Sequence, residues 1–341
     1  MDQQRLRALL SRFASLHLLV IGDFFLDYYL VLDAALTEIS LETGLEAYQV
    51  VATRPQPGAA GTVTNNLRAM GVRVTALGAL GDDGLGVELR RGLEATGVET
   101  GALVVAPGRM TPTYTKPMLR AADGSERELN RLDFKNRTPT PPAVEREIIA
   151  RLRALAGEVD GIIVADQAQE PECGVVTTGV RAALAEIGAA RPEQVIAADS
   201  RARVGLFRNV ILKPNAQEAM AAAGANSAEA AGAALCARMG RPVFVTIGAE
   251  GMLVFTGAGM ARAPGVPVHG PIDIVGAGDA AMAGLASALC AEATPEEAAA
   301  VGNLAASVTV RQIGTTGTAS QAQILEAFEV WQRETRTNRN G

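Results

Sequence analysis

Short continuous runs of aliphatic residues alternate with longer Ala- and Leu-rich segments along most of the 341-residue chain. The runs at 18–21, 74–80, 161–164, 195–198, 210–212, 243–247 and 252–255 read as strands buried on both faces. Between them, amphipathic periods predict helices over 62–70, 85–96, 142–156, 175–187, 216–223, 228–239, 277–291, 295–309 and 320–331. Residues 1–15 show the same helical spacing at Leu6, Leu9, Leu10 and Phe13. Such alternation predicts an α/β fold: a mostly parallel sheet with helices on both faces.

Two regions break the rhythm. Insertions at about 28–53 and 111–134 carry polar/apolar alternation, as in Thr113-Tyr-Thr-Lys-Pro-Met-Leu-Arg, and no helical period. Alternation means one sheet face is solvated or covers something. These segments therefore read as a small β appendage that acts as a lid on a single domain spanning 1–332. The Pro-rich stretch 139–142 marks the return to that domain, and 333–341 reads as a polar, frayed tail.

Composition narrows the function classes. A net charge of −6 gives no basic footprint for nucleic acid. No apolar run approaches a membrane span and no signal peptide is visible, so a cytoplasmic protein is expected. Cys173, Cys236 and Cys290 are scattered without CxxC spacing, which argues against disulfides and thiolate metal sites. Only His17 and His269 are present, so a His-rich metal site is excluded.

The sharpest chemical signal is Gly276-Ala277-Gly278-Asp279 at a loop-to-helix junction. Glycines there leave backbone N–H groups and the positive end of a helix dipole free to hold an anion. Asp279, in the first turn, can accept a proton from an attacking hydroxyl. The same residues also satisfy a loose dinucleotide fingerprint or a plain helix start; the weak strand signal before them argues against a dehydrogenase. Asn215 and Glu218 match a capping box or a pair beside a hydrated Mg²⁺. Thr246, Gly248 and Gly251 join two strands as a hairpin turn or a loop against a nucleotide. Asp23 and Asp27 follow the first strand, at the edge where parallel sheets bind ligands. Gly58, Ala59, Gly61 and Thr62 form a further Gly-rich junction.

In this order the elements resemble the PfkB (ribokinase-like) carbohydrate kinases, over about residues 18–328. Asp273-Ile-Val-Gly-Ala-Gly-Asp279 is similar to the family's end signature, Asn215 to Glu218 to its N-x-x-E, and Thr246 to Gly251 to its T-x-G-x-x-G. The nearest likeness is to the kinase half of bacterial heptose-phosphate kinase/adenylyltransferases, carried by residues 22–27, 131–134, 212–215 and 310–315. That resemblance implies a ribokinase-like three-layer α/β/α sandwich and ATP-dependent phosphorylation of a sugar or sugar-phosphate hydroxyl, a heptose 7-phosphate among the candidates. It implies Asp279 as base, with Gly276, Ala277 and Gly278 as the cradle. Asp27, Asp23, Gly58, Ala59, Thr62 and Arg131 fall at the sugar, and Asn215, Thr246, Gly248, Gly251 and Asn303 at the nucleotide. Mg²⁺ falls at Glu218 and Asn215, largely through water. No adenylyltransferase domain is expected after the kinase region. The resemblance also implies a homodimer joined through the lid.

The departures lie mainly at the substrate end. Ala59 stands for a usual Gly, Thr62 for a usual Asn, and Gln167 and Gln169 for Tyr and Lys. Ile274 replaces a Thr beside the site of a monovalent cation, which argues against ion activation. A catalytically weak sugar- or nucleotide-binding regulator on the same fold, or a kinase for another sugar or nucleoside, is the alternative.

Overall fold

The computed structural model describes residues 1–314 and 316–337. Helix α1 (Gln3–Ser11) leads into β1 (His17–Gly22), and β2 (Phe24–Asp33) follows after Asp23 alone. The short strands β3 (Glu38–Ile39) and β4 (Glu46–Ala47) form a hairpin before β5 (Val50–Ala59) and α2 (Ala60–Ala69). Next come β6 (Arg73–Leu77), β7 (Ala79–Gly81), α3 (Gly84–Ala95), β8 (Val104–Ala106), β9 (Thr113–Arg120), β10 (Glu126–Glu128) and β11 (Leu132–Phe134). Helix α4 (Pro142–Leu155), β12 (Gly161–Asp166), α5 (Thr178–Ala190), β13 (Val195–Ser200), β14 (Ile211–Leu212), α6 (Ala216–Ala223) and α7 (Ala228–Met239) follow. The chain closes with β15 (Val243–Thr246), β16 (Gly251–Thr256), β17 (Gly259–Pro264), α8 (Ala277–Cys290), α9 (Pro295–Thr309) and α10 (Gln321–Thr337).

Eight strands form the main sheet in the order β17-β16-β15-β14-β13-β12-β1-β6. They run parallel from β15 to β6, and β16 and β17 add on antiparallel. Alternate residues of one strand enter different cores. Leu18 and Val20 of β1 join the cluster with Leu67 of α2, Leu285 of α8 and Leu304 of α9. Leu19 and Ile21 join Ile148 and Leu152 of α4 and Leu184 of α5. Both faces are therefore covered, which is why the strands read as unbroken apolar runs. The result is the expected three-layer α/β/α sandwich.

The two irregular regions form a second sheet, β10-β9-β2-β5, with β11 also paired to β9. Its first part runs from Phe24 to Ala59, beyond the boundaries read from sequence, because the chain leaves the main sheet at Asp23 and returns to the main layers only at α2. The expected strand over 74–80 is broken at Gly78, where a Cβ would lie 2.7 Å from the Phe24 ring and 2.8 Å from the Gly22 carbonyl oxygen. Strand β17 went unread because its Gly-Met-Ala-Arg-Ala-Pro sequence has weak strand preference; its Pro264 suits an edge position. The expected tail is helical in its first part, since α10 runs to Thr337 through a stretch free of Gly and Pro. Thr315 and 338–341 lie outside the described residues. Among the described residues, no helix is long and apolar enough to cross a membrane.

Candidate active site

A cavity of about 550 Å³ opens between the carboxyl ends of the main-sheet strands and the second sheet. Phe25, Asp27, Tyr114 and Lys116 enter it from β2 and β9, Asp199, Arg201 and Lys213 from the ends of β13 and β14, and Asn215 and Glu218 from the start of α6. Gly276, Gly278 and Asp279 enter from the start of α8. Strand ends of a parallel sheet supply such sites because the next helix begins there, amides outward.

Gly276 is the N-cap of α8 at φ +81°, a left-handed conformation that a side chain disfavours, and no side chain caps the helix. The Ala277 amide departs from the expected cradle: it donates to the Ile274 carbonyl at 3.2 Å, and Ala277 faces a neighbouring cavity. Asp279 sits one turn in. Burial pushes its carboxyl up to about 7, and the Asp199 carboxylate adds to the rise while Lys213 and Arg201 oppose it. A carboxylate that titrates near neutrality is suited to proton abstraction.

Lys213 is 3% exposed and ion-paired to Asp199 at 2.8 Å. Burial acts to lower its pKa, but the charges of Asp199, Asp279 and Glu218 prevail, and the ammonium is held above its usual value. Asn215 and Glu218 form a reciprocal capping box: Asn215 Oδ1 accepts from the Glu218 backbone amide, and Glu218 Oε2 from the Asn215 backbone amide at 2.8 Å. The capping-box reading holds, and both residues of the cap also line the cavity. Burial raises the Glu218 pKa, and Asp199 adds to the rise. Among the described residues no three His, Cys, Asp or Glu side chains converge as a metal cage. One carboxylate with one oxygen committed to a cap fits a cation that keeps most of its water, as Mg²⁺ does.

A second cavity of about 350 Å³ lies alongside, mostly apolar, and shares Thr246, Ile274 and Gly278 with the first. Thr246, Gly248, Gly251 and Asn303 all line it. The Thr246 amide donates to the Pro214 carbonyl, which ties the loop to the Asn215 cap. The Asn303 amide donates to the carbonyls of Ala263 and Pro264 and so fixes the cavity wall. The segment 265–276 before α8 is not a strand, so the dinucleotide fingerprint lacks its context.

At the opposite end Asp27 pairs with Lys116 at 2.8 Å, a partner sequence reasoning did not assign. Gly58 makes room for that carboxylate: a Cβ there would lie 2.4 Å from Asp27 Oδ2. Ala59 and Thr62 both line the cavity. Two substrate-end assignments need correction. Asp23 is absent from the cavity wall, and its carboxylate accepts the amides of Gln167, Ala168 and Val175 at 2.7–2.8 Å. It is a clamp on the 167–175 loop. Arg131 is also off the wall, held by Asp133 at 2.7 and 3.0 Å and stacked on Tyr114. Asp199, Arg201, Lys116 and Lys213 were missed. Lys213 and Lys116 lay inside quoted stretches, and Asp199 and Arg201 carried no spacing signal.

A three-layer α/β sandwich with a carboxylate at an open helix start, where a polar and an apolar chamber meet, defines a small-molecule kinase. The chain belongs to the pfkB carbohydrate kinase family, whose model matches residues 33–322. Its class is that of an ATP-dependent carbohydrate kinase. It is 31% identical over 342 residues to the bifunctional protein HldE of Pelobacter propionicus, covering 96% of this chain and 66% of that protein. The chain thus spans about two thirds of that relative's length. Solved structures share the fold at low identity. Phosphofructokinase-2 from Escherichia coli, in complex with potassium, has a TM-score of 0.68 at 15% identity, covering 93% of this chain and 99% of that one. Arabidopsis thaliana ribokinase with ribose and ATP has a TM-score of 0.64 at 18% identity, covering 92% and 99%.

Proposed function

We propose that the chain transfers the terminal phosphoryl group of ATP to a hydroxyl of a sugar phosphate, with a heptose phosphate as the leading acceptor. The observation that carries this is Asp279 at an uncapped helix start where the two cavities join. The apolar chamber with Thr246, Gly248, Gly251 and Asn303 takes the nucleotide. The polar chamber takes the acceptor, oriented by Asp27.

Asp279 accepts the hydroxyl proton as the oxygen attacks in line. The Gly278 and Asp279 amides and the Lys213 ammonium stabilise the charge that develops on the transferring group. Mg²⁺, held mainly through water by Glu218 beside the Asn215 cap, would neutralise charge on the donor phosphates. Ile274 supplies no hydroxyl next to Asp273, which supports activity without a monovalent cation. The second sheet acts as a lid that excludes water, a competing acceptor. A cytoplasmic homodimer joined through that sheet completes the reading.

The test is ADP release over heptoses, hexoses, pentoses, their phosphates and nucleosides, followed by Asp279→Asn on the best acceptor. The variant should lower kcat by roughly 10²–10⁴-fold with ATP binding kept. Wild-type turnover in Asp279→Asn would refute the assignment.

A further inference from the structure

The charges on the acceptor cavity wall are nearly all matched. Asp27 is paired with Lys116, and Asp199 with Lys213, each at 2.8 Å. Glu218 accepts a backbone amide within its cap. Asp279 is the base. Arg201 remains: among the described residues its guanidinium has no hydrogen-bond or ion-pair partner, although its backbone amide donates to the Asp166 carbonyl.

Arg201 leaves the end of β13, and its backbone bond to Asp166 draws it toward the β12 side. Its charge is felt by Tyr114 as well as by Asp279 and Glu218. It shares the acceptor chamber with Gln167 and Tyr114 and does not line the apolar chamber with Thr246 and Asn303. Arg201 is exposed, so its guanidinium is solvated and free to take up an incoming anion, for which a neutral sugar offers no counter-charge. A phosphate on the acceptor would meet it with two parallel N–H···O bonds.

We propose that Arg201 is the residue that selects an acceptor already bearing a phosphate, by holding that phosphate away from the reacting hydroxyl. This rests on the kinase reading above and assigns the residue that recognises the acceptor's phosphate. It also replaces Arg131, whose guanidinium is committed to Asp133. The acceptor's phosphate implies that another phosphoryl-transfer or isomerase step supplies this substrate already phosphorylated.

The test uses matched acceptors: heptose 7-phosphate with heptose, and fructose 6-phosphate with fructose. The readout is the ratio of kcat/KM for the phosphorylated over the unphosphorylated sugar. Arg201→Gln should lower that ratio roughly 10- to 100-fold, the usual cost of a lost charge-assisted pair. Arg201→Lys should recover part of it, since the charge stays and the fork is lost. An equal loss on both acceptors, or a loss that appears as a higher KM for ATP, overturns the proposal and assigns Arg201 to the donor phosphate. Calorimetric titration of the same sugars separates this proposal from the kinase reading. Wild-type protein should bind the phosphorylated sugar more tightly and Arg201→Gln should not, whether or not turnover is seen. Wild-type protein that binds both sugars alike overturns it. ADP release with no phosphate preference leaves the kinase reading standing without it.

Discussion

At the scale of single residues, Asp279 sets both rate and stability through one shift. Its side chain is only partly accessible at the cavity floor, and its carboxyl is raised from 3.8 to about 7. The base must be ionised, so kcat/KM should rise with pH through about 7 and level off above it. The same shift means that the folded state holds the proton more tightly than the unfolded chain. Stability from this group is full below the unfolded pKa and is lost as pH rises through about 7. The ceiling on that loss is about 4 kcal/mol, reduced by solvent screening in the open cavity. Asp279→Asn should therefore melt higher than wild type, with the gap widening from pH 5 to pH 8 in thermal unfolding. A pH-independent gap would mean that the shift is absent. Ala59 shows the converse, a residue that costs stability. It holds φ +54° and ψ −117°, a strained conformation for a residue with a side chain, worth about 1–3 kcal/mol. The sequence marked Ala59 only as a departure at the sugar; the backbone strain became visible in the structure.

At the scale of elements, Asp23 links the β1–β2 junction to the loop that brings Gln167 to the cavity. Burial raises its pKa, the Asp166 carboxylate adds to the rise, and three backbone amides oppose it. Its neighbour Asp166 is fully buried against Arg203 at 2.6 Å, with the Ser200 hydroxyl also donating to it. Asp23→Asn turns one acceptor into a donor that faces backbone N–H groups. It should cost about 1–3 kcal/mol and speed amide exchange over residues 167–175, with the acceptor KM rising more than the KM for ATP. Unchanged exchange in that loop would show that Asp23 is not its clamp. Elements were most legible where local chemistry ends them. α6, α7 and α9 begin and end where the sequence put them, helped by Asn215 with Glu218, Ser227 with Gly240, and Thr294 with Glu297. The C-terminal motif was legible because glycines and a carboxylate sit side by side. The Asp27–Lys116 and Asp199–Lys213 pairs were not, because strand order brings them together and no local spacing records that order.

At the scale of the whole molecule, the second sheet is the part that a single chain leaves unfinished. Ile39, Leu41, Leu45, Val50, Val51, Leu132 and Phe134 are all exposed on it or on the β3–β4 hairpin beside it. Residues 50–54 of β5 form an edge of that sheet and are exposed throughout. An apolar edge of this kind invites pairing, and Glu38, Glu42 and Glu46 on the hairpin oppose indiscriminate association. In the proposed homodimer a second copy of the same sheet would cover this surface and stiffen the strands that carry Asp27 and Lys116. Light scattering should then give about twice the 35.3-kDa chain mass. Leu41→Asp combined with Val51→Asp should return it to one chain, with a higher KM for the acceptor and little change in KM for ATP, because the nucleotide chamber is built from the other end of the main sheet. A wild-type monomer at assay concentration would remove the dimer from the reading and leave the lid to close within one chain.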